Sequence, residues 1–497
     1  MSLQGNYLRR LAPIDWGVIM LSGFALLPIW TLDVFTTQDG PSHVYNAHAL
    51  LGVLTGSEPY VSRYDVTLLP SPNWMGGALL ALLGVALPLR VAERLVLSLS
   101  LVVFTLGVRR LTRGPDGATR GVALLAPAFA CNATLYLGFH SYGLGLALVP
   151  WAWSLATNDH PRAWRWLVVV GILAWLCHLL AAALGALGVA CVVLDRVARA
   201  RDLSRLRAPA LALAPTGALI LGWLLSDSRP SLVEATRLPL ETLVEGLIGL
   251  RALTAWVGPI EHVAQVLAVL LGLATARALW RDREPGQRAW LGLATVSVGL
   301  LLVVPEHGSG FAYLSDRLGL IPWLALLPVV GALRWRGAAP LAGLACAVLL
   351  TASGFQAVRL QPELAAQLAL GGHVEPGATL AALDFSQGEP PARFRPFLHL
   401  AGYVAADRGG VLVTSHEAQT DHFHLRLARG ATMPQATRLL GNPESFDPAR
   451  WHAAVRYVLA YAPSTADRAR LETQYDVVAH AGRSVLFEAR SARLRRP

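Results

Sequence analysis

Apolar runs long enough to cross a lipid bilayer recur along this chain from Trp16 to about Phe355, separated by short polar turns. After about Gln356 the pattern changes: charges become frequent, apolar runs shrink to strand length, and turn residues recur. The pattern predicts a membrane-embedded helical region over 1–355 and a soluble domain over 356–497. At roughly 140 residues, that tail is long enough to hold a core of its own. Within it, segments 380–384, 410–414, 455–460 and 484–488 read as strands. Segments 397–407 and 466–475 read as helices, which predicts a small α/β domain. No glycine-rich phosphate loop precedes a helix in the tail, so the pattern does not suggest nucleotide binding.

Composition settles the class. Of 497 residues 54% are hydrophobic and only 15% charged, and mean hydropathy is +0.46. An ordinary soluble domain is excluded, and the chain is a polytopic α-helical membrane protein. The net charge of +10 does not point to nucleic acid, because the basic residues gather in the turns between apolar runs. All 42 of them are arginine, so any phosphate gripped here is gripped by arginine or by backbone N–H groups. The four cysteines, Cys131, Cys177, Cys191 and Cys346, sit inside apolar spans without metal-ligand spacing and read as small buried hydrophobes. The sequon at Asn132 also lies in an apolar span and reads as chance. Pro13 to Leu32 reads as a true span, since no small-residue cleavage site follows it.

Arginine placement predicts the topology. Arg9 and Arg10 precede the first span, which puts the N-terminus in the cytoplasm and Asp39 at the outer face. Two apolar runs follow, 73–87 and a second ending near Val108. If both crossed, Arg109, Arg110 and Arg113 would face outward. Laying the first run along the outer surface keeps that cluster inside. Further arginine-rich turns then fall inside at 162–165, 196–207, 277–288 and 334–336. About eleven crossings result, with the tail extracytoplasmic.

Three outer segments are expected, at about 33–94, 227–258 and 305–317. The first holds Gln38-Asp39-Gly40-Pro41-Ser42-His43 directly after the first span. Ionisable side chains at a membrane face are costly to desolvate and usually have a job there. In the second, Leu238, Leu240, Leu243, Leu247 and Leu250 recur at near-helical spacing around Glu241 and Glu245, as an amphipathic surface helix requires. The third runs from Pro305-Glu306-His307-Gly308 to Asp316-Arg317. A transporter concentrates polar groups at the bilayer midplane; here they gather at the outer face.

At these residues the chain resembles the GT-C glycosyltransferases, integral membrane enzymes that move sugars from polyprenyl-phosphate donors. More narrowly, four segments look like a bacterial GT-C-like branch. They are the 38–43 motif, Leu137-Gly138-Phe139-His140-Ser141-Tyr142-Gly143, Cys177-His178-Leu179-Leu180, and Tyr313-Leu314-Ser315-Asp316-Arg317-Leu318. The constellation, rather than any one short motif, carries the likeness. Two features depart from the group. Gln38 stands where a second acidic residue is common, and the tail lacks a Trp-Trp-Asp acceptor motif. The resemblance implies an inverting transfer at the outer face of a bacterial inner membrane. Its partners would be membrane lipids, a polyprenyl-phosphate sugar, and a glycan, lipid or protein acceptor. A divalent cation (Mg or Mn) is compatible with the motif but not demanded by it. A non-catalytic binder of lipid-linked glycans and a transporter or flippase are the competing classes.

Asp39 is the candidate base or metal ligand, since transfer to a hydroxyl needs a group to take the acceptor's proton. The structural alternative is an Asx-type turn. His43, four residues on, would share a helical face with it and orient the carboxylate, contact phosphate or join a metal site. Arg317 is the candidate donor-phosphate contact; its alternative is a pairing with Asp316. Glu306 and His307 form a candidate second acidic or metal-binding element. His140, Tyr142 and His178 are candidate lining residues of an outward cavity, and His48 reads as packing. In the tail, His416, Glu417, Asp421, His422 and His424 suggest zinc only weakly, lacking metal-motif spacing. They are expected on the solvated surface of the α/β domain.

Overall fold

A computed structural model describes residues 12–493 apart from 69, 115, 159, 227–234, 282–283, 285, 309–311, 334, 387–391 and 421–422. Among the described residues seven helices are long and apolar enough to cross a membrane. They are Pro13–Thr31, Leu89–Leu111, Leu179–Ala200, Leu203–Leu224, Pro259–Arg281, Leu314–Gly331 and Ala338–His373. At about 1.5 Å per residue the shortest spans roughly 27 Å, close to the hydrocarbon thickness of a bilayer. Between them lie Gly121–Tyr136, His140–Ala156, Pro161–Cys177 and Gln287–Val303. Seven of the roughly eleven expected crossings thus have the length and apolarity to span, with these shorter segments between them. Segment Gly121–Tyr136 is broken into short turns, and at its last break the buried Asn132 side chain caps Thr134 N at 2.9 Å. The sequon is thus a helix cap. Met20, Leu225 and Trp280 are 71%, 74% and 84% exposed, as side chains facing lipid should be. The chain is a multi-pass membrane protein.

The loop after the first helix is structured. Pro41 starts the helix Gly40–Leu54, where its fixed φ and missing N–H cost nothing. The run expected to lie flat forms Trp74–Gly84, 11 residues long, too short to cross. The expected amphipathic segment forms Leu240–Ile248.

The tail differs from expectation in two respects. Its first helix does not stop near 355 but continues the last apolar span as Ala338–Ala369, so the sequence boundary falls inside a helix. Its core is also not its own. A five-stranded sheet runs in the order Val411–Leu412, Thr379–Asp384, Tyr457–Tyr461, Ser484–Ala489, Tyr475–Ala481. The first three strands are parallel and the last two pair antiparallel. The hydrophobic cluster under this sheet includes Tyr45, Ala49, Tyr60 and Tyr64 from the first loop. The Tyr45 hydroxyl accepts from Leu412 N at 3.0 Å, and Tyr60 donates to the Gly410 carbonyl at 3.1 Å. Strand Tyr64–Val66 pairs antiparallel with Leu425–Leu427, a two-stranded sheet shared by loop and tail. A Cβ on Gly402 would run into the Pro41 carbonyl, so helix Ala401–Asp407 packs backbone-close on Gly40–Leu54. The tail therefore sits on the first loop as one continuous structure.

Candidate active site

The first loop and the 137–143 motif interlock through their backbones. Gln38 N donates to Tyr136 O at 2.9 Å and Asp39 N to Leu137 O at 3.1 Å. Gly138 has φ +78°, and a Cβ there would lie 2.6 Å from Gly40 N and 2.8 Å from Asp39 N. Only glycine allows both the left-handed turn and the close approach. This fixes Asp39 immediately before the helix Gly40–Leu54. Gln38 Nε2 donates to Asp39 Oδ1 at 3.0 Å, while its Oε1 accepts from Arg395 N at 2.9 Å. Gln38, the point of departure from a paired acidic motif, thus ties the carboxylate to the tail. His399 Nε2 lies 3.7 Å from Asp39 Oδ1 and its ring stacks on His416, centroids 5.0 Å apart. Burial pushes the Asp39 carboxyl above its ordinary value, with His416, His43 and the Gln38 bond pulling against it.

His43 lies one turn further and is largely buried. Its Nδ1 is 2.9 Å from Glu417 Oε1, and the Glu417 side chain is 1% exposed. Burial alone would push His43 down, but Glu417, then Asp39 and Glu93, raise it to about 9. Burial would likewise raise Glu417, and His43 holds it below its ordinary value. The pair is an imidazolium–carboxylate bridge between loop and tail. His140, 3% exposed, sits with its ring 5.0 Å from that of His43 and its Nε2 3.5 Å from Glu93 Oε1. Glu93 in turn accepts from the Tyr403 hydroxyl at 2.5 Å.

The expectation of a solvated tail surface is therefore corrected. Glu417 and His424 are buried at 1% and 8% exposure because this edge of the tail packs on the loop. His424 reaches Thr67 O at 3.2 Å and Trp74 O at 2.9 Å. Asp421 and His422 lie outside the described residues. His48 packs as expected, its Nε2 2.9 Å from the Tyr60 hydroxyl.

Arg317 is stacked over Phe139 at 4.2 Å and Tyr142 at 5.4 Å. The Tyr142 hydroxyl donates to the Arg317 carbonyl at 2.8 Å. Arg317 Nη1 faces His178 Nε2 at 3.1 Å, and His178 Nδ1 accepts from Leu180 N at 3.1 Å. A neutral His178 accepting at Nδ1 carries its proton on Nε2, so it presents a donor to a donor. The buried Arg317 Nε has no hydrogen-bond partner among the described residues. The guanidinium thus lacks an acceptor where Asp39 still feels its charge. Its expected alternative, a bridge to Asp316, is not formed.

Glu306 is buried and accepts from Ser315 N at 2.8 Å through Oε2, which shapes the third loop. The His307 ring packs edge-on against Tyr313, centroids 5.4 Å apart. Both line an open cavity of about 540 Å³, counting its mouth, with Tyr313, Asp316, Arg251 and Arg393. The sequence reading missed Arg251 and Arg393. Arg393 comes from the tail, donates to the Arg251 carbonyl, and is pushed down to about 10 by burial. Glu306 and His307 do not join Asp39 in a metal-binding group. Among the described residues no three His, Cys, Asp or Glu are placed to hold a metal together.

Asp39 thus stands before a first-loop helix, beneath a tail packed on that loop and on a multi-helix membrane bundle, and this overall fold has counterparts among solved structures. Among solved structures the chain is similar to ArnT from Cupriavidus metallidurans. For the apo state the TM-score is 0.56 at 14% identity, covering 96% of this chain and 98% of that one. For the form bound to undecaprenyl phosphate it is 0.54 at 12% identity, with the same coverage. Mycobacterial arabinofuranosyltransferase AftD matches at 0.49 and 16% identity, and the chain spans 40% of its length. No family model matches the sequence, and no curated protein does.

Proposed function

We propose that this protein transfers a sugar from a polyprenyl-phosphate donor to a hydroxyl acceptor with inversion. The reaction is placed at the outer face of a bacterial inner membrane, with the N-terminus cytoplasmic. The observation that carries the reading is Arg317, a buried guanidinium left without an acceptor within reach of the Asp39 charge. A donor phosphate oxygen satisfies Arg317 and the His178 N–H together, which a charge-assisted bond makes favourable. The 540 Å³ cavity beside it, with Arg251, Arg393 and Tyr313, takes the rest of the anionic head.

The acceptor oxygen then bonds to the anomeric carbon opposite the phosphate, and the carbon–oxygen bond to phosphate breaks with its electron pair. Asp39 takes the hydroxyl proton; its raised proton affinity suits it to that task. Arg317 stabilises the charge growing on the departing phosphate. Where Asp39 instead held a divalent cation, the cation would neutralise charge on the departing phosphate. Undecaprenyl phosphate bound to ArnT supports a lipid donor of this class.

The test is transfer from synthetic polyprenyl-phosphate sugars by purified protein, with thermal protection by the same donors measured alongside. Wild type turns over, and Asp39→Asn loses roughly 10²–10⁴-fold while still being protected by donor. Full turnover by Asp39→Asn removes Asp39 from the chemistry. Protection without turnover by wild type would make the protein a lipid-linked glycan binder.

A further inference from the structure

A narrow cleft of about 430 Å³, most of it open mouth, lies between the first loop, the start of helix His140–Ala156 and the tail. His43 and Glu417 form one wall, Asn46 and His140 another, and Phe423 closes it from the tail. Its floor is bare backbone: Gly77 lies where a Cβ would approach the His424 ring to 3.2 Å. Two polar groups point to a missing partner. His140 is 3% exposed and its Nδ1 has no hydrogen-bond partner among the described residues; neither has Asn46 Nδ2. Such atoms are expensive to bury unsatisfied.

We infer that this cleft is the acceptor site and that it takes the hydroxyl-bearing end of a saccharide. The proposal rests on the glycosyltransferase reading for its use, though not for its chemistry. Sugar hydroxyls both donate and accept, which suits a wall holding an amide N–H, an imidazole nitrogen and a carboxylate. The Phe423 ring offers an apolar face to the C–H side of a pyranose or furanose. The placement also suits an acceptor. His43, which lines the cleft, feels the charge of Asp39, so the cleft lies near the carboxylate that would take the acceptor's proton. Glu417 and Phe423 make the tail part of the acceptor site.

The experiment uses the full-length protein and a panel of methyl glycosides of hexoses and pentoses at millimolar concentration. Binding is read as a rise in unfolding temperature, and transfer is read separately with donor present. At least one glycoside raises the unfolding temperature of wild type. Asn46→Ala and Phe423→Ala weaken that glycoside at least tenfold, while protection by the polyprenyl-phosphate donor stays within twofold. In the transfer assay the same variants raise KM for the glycoside and not for the donor. The inference is overturned if no glycoside protects wild type, or if both variants bind it as tightly. Glycoside binding without any transfer keeps the saccharide site and removes the glycosyltransferase reading, so the two failures are distinct.

Discussion

Replacing Glu417 by Gln tests whether the bridge between loop and tail is an ion pair. The substitution keeps volume and hydrogen-bonding capacity and removes one charge. His43 is held at about 9 against an ordinary 6.5. At about 1.4 kcal/mol per pH unit, that displacement corresponds to about 3 kcal/mol, with Glu417 its main source. The figure agrees with the roughly 3–5 kcal/mol lost when one partner of a buried pair is removed. Because the folded-state value is raised, the stabilisation is fully present below about pH 6.5 and is lost as pH rises through about 9. The assay is the unfolding temperature of wild type and Glu417→Gln across this window. The two curves should lie furthest apart near pH 6 and converge above pH 9. A gap of constant size over that range would refute the ion pair. It would mean that Glu417 acts through packing alone.

Arg317→Ala should lower donor affinity at least tenfold, read as loss of thermal protection by polyprenyl phosphate, while Arg317→Lys should recover only part of it because a point charge cannot fork to two oxygens. Unchanged protection in Arg317→Ala would move the phosphate to Arg251 and Arg393 alone. Gly138→Ala should cost about 1–2 kcal/mol for the left-handed residue plus the clash with the backbone at Asp39. It should therefore lower both the unfolding temperature and transfer, and loss of stability with full transfer would show that Asp39 tolerates displacement.

The membrane architecture was legible because lipid imposes one simple constraint: apolar runs of fixed minimum length, with arginine in the turns. Asp39, His140 and Arg317 were legible as motif members, but their interlock was not. The bond from Asp39 N to Leu137 O joins segments 98 residues apart in sequence, and nothing local encodes it. Glu417 was misread for a related reason. A carboxylate among histidines looks solvated until packing of the tail on the loop buries it. The end of the last span was set too early because Arg359 and Glu363 resemble the start of a soluble region. They instead lie on a helix that continues to Ala369. Strand Tyr475–Ala481 escaped notice because only its first residue is fully buried, leaving little hydrophobic signal.

The sheet shared by Tyr64–Val66 and Leu425–Leu427 has a consequence for how the protein comes into being. The first loop leaves the ribosome early, yet the Tyr45 hydroxyl, already paired with Tyr64, waits for Leu412, 367 residues later, for its second bond. Until the tail arrives, Asp39 lacks the Gln38–Arg395 tether, and His43 lacks its main counter-charge, Glu417. Assembly of the site therefore waits for the tail, and a chain that lacks the tail can insert its helices without acquiring the assembled centre.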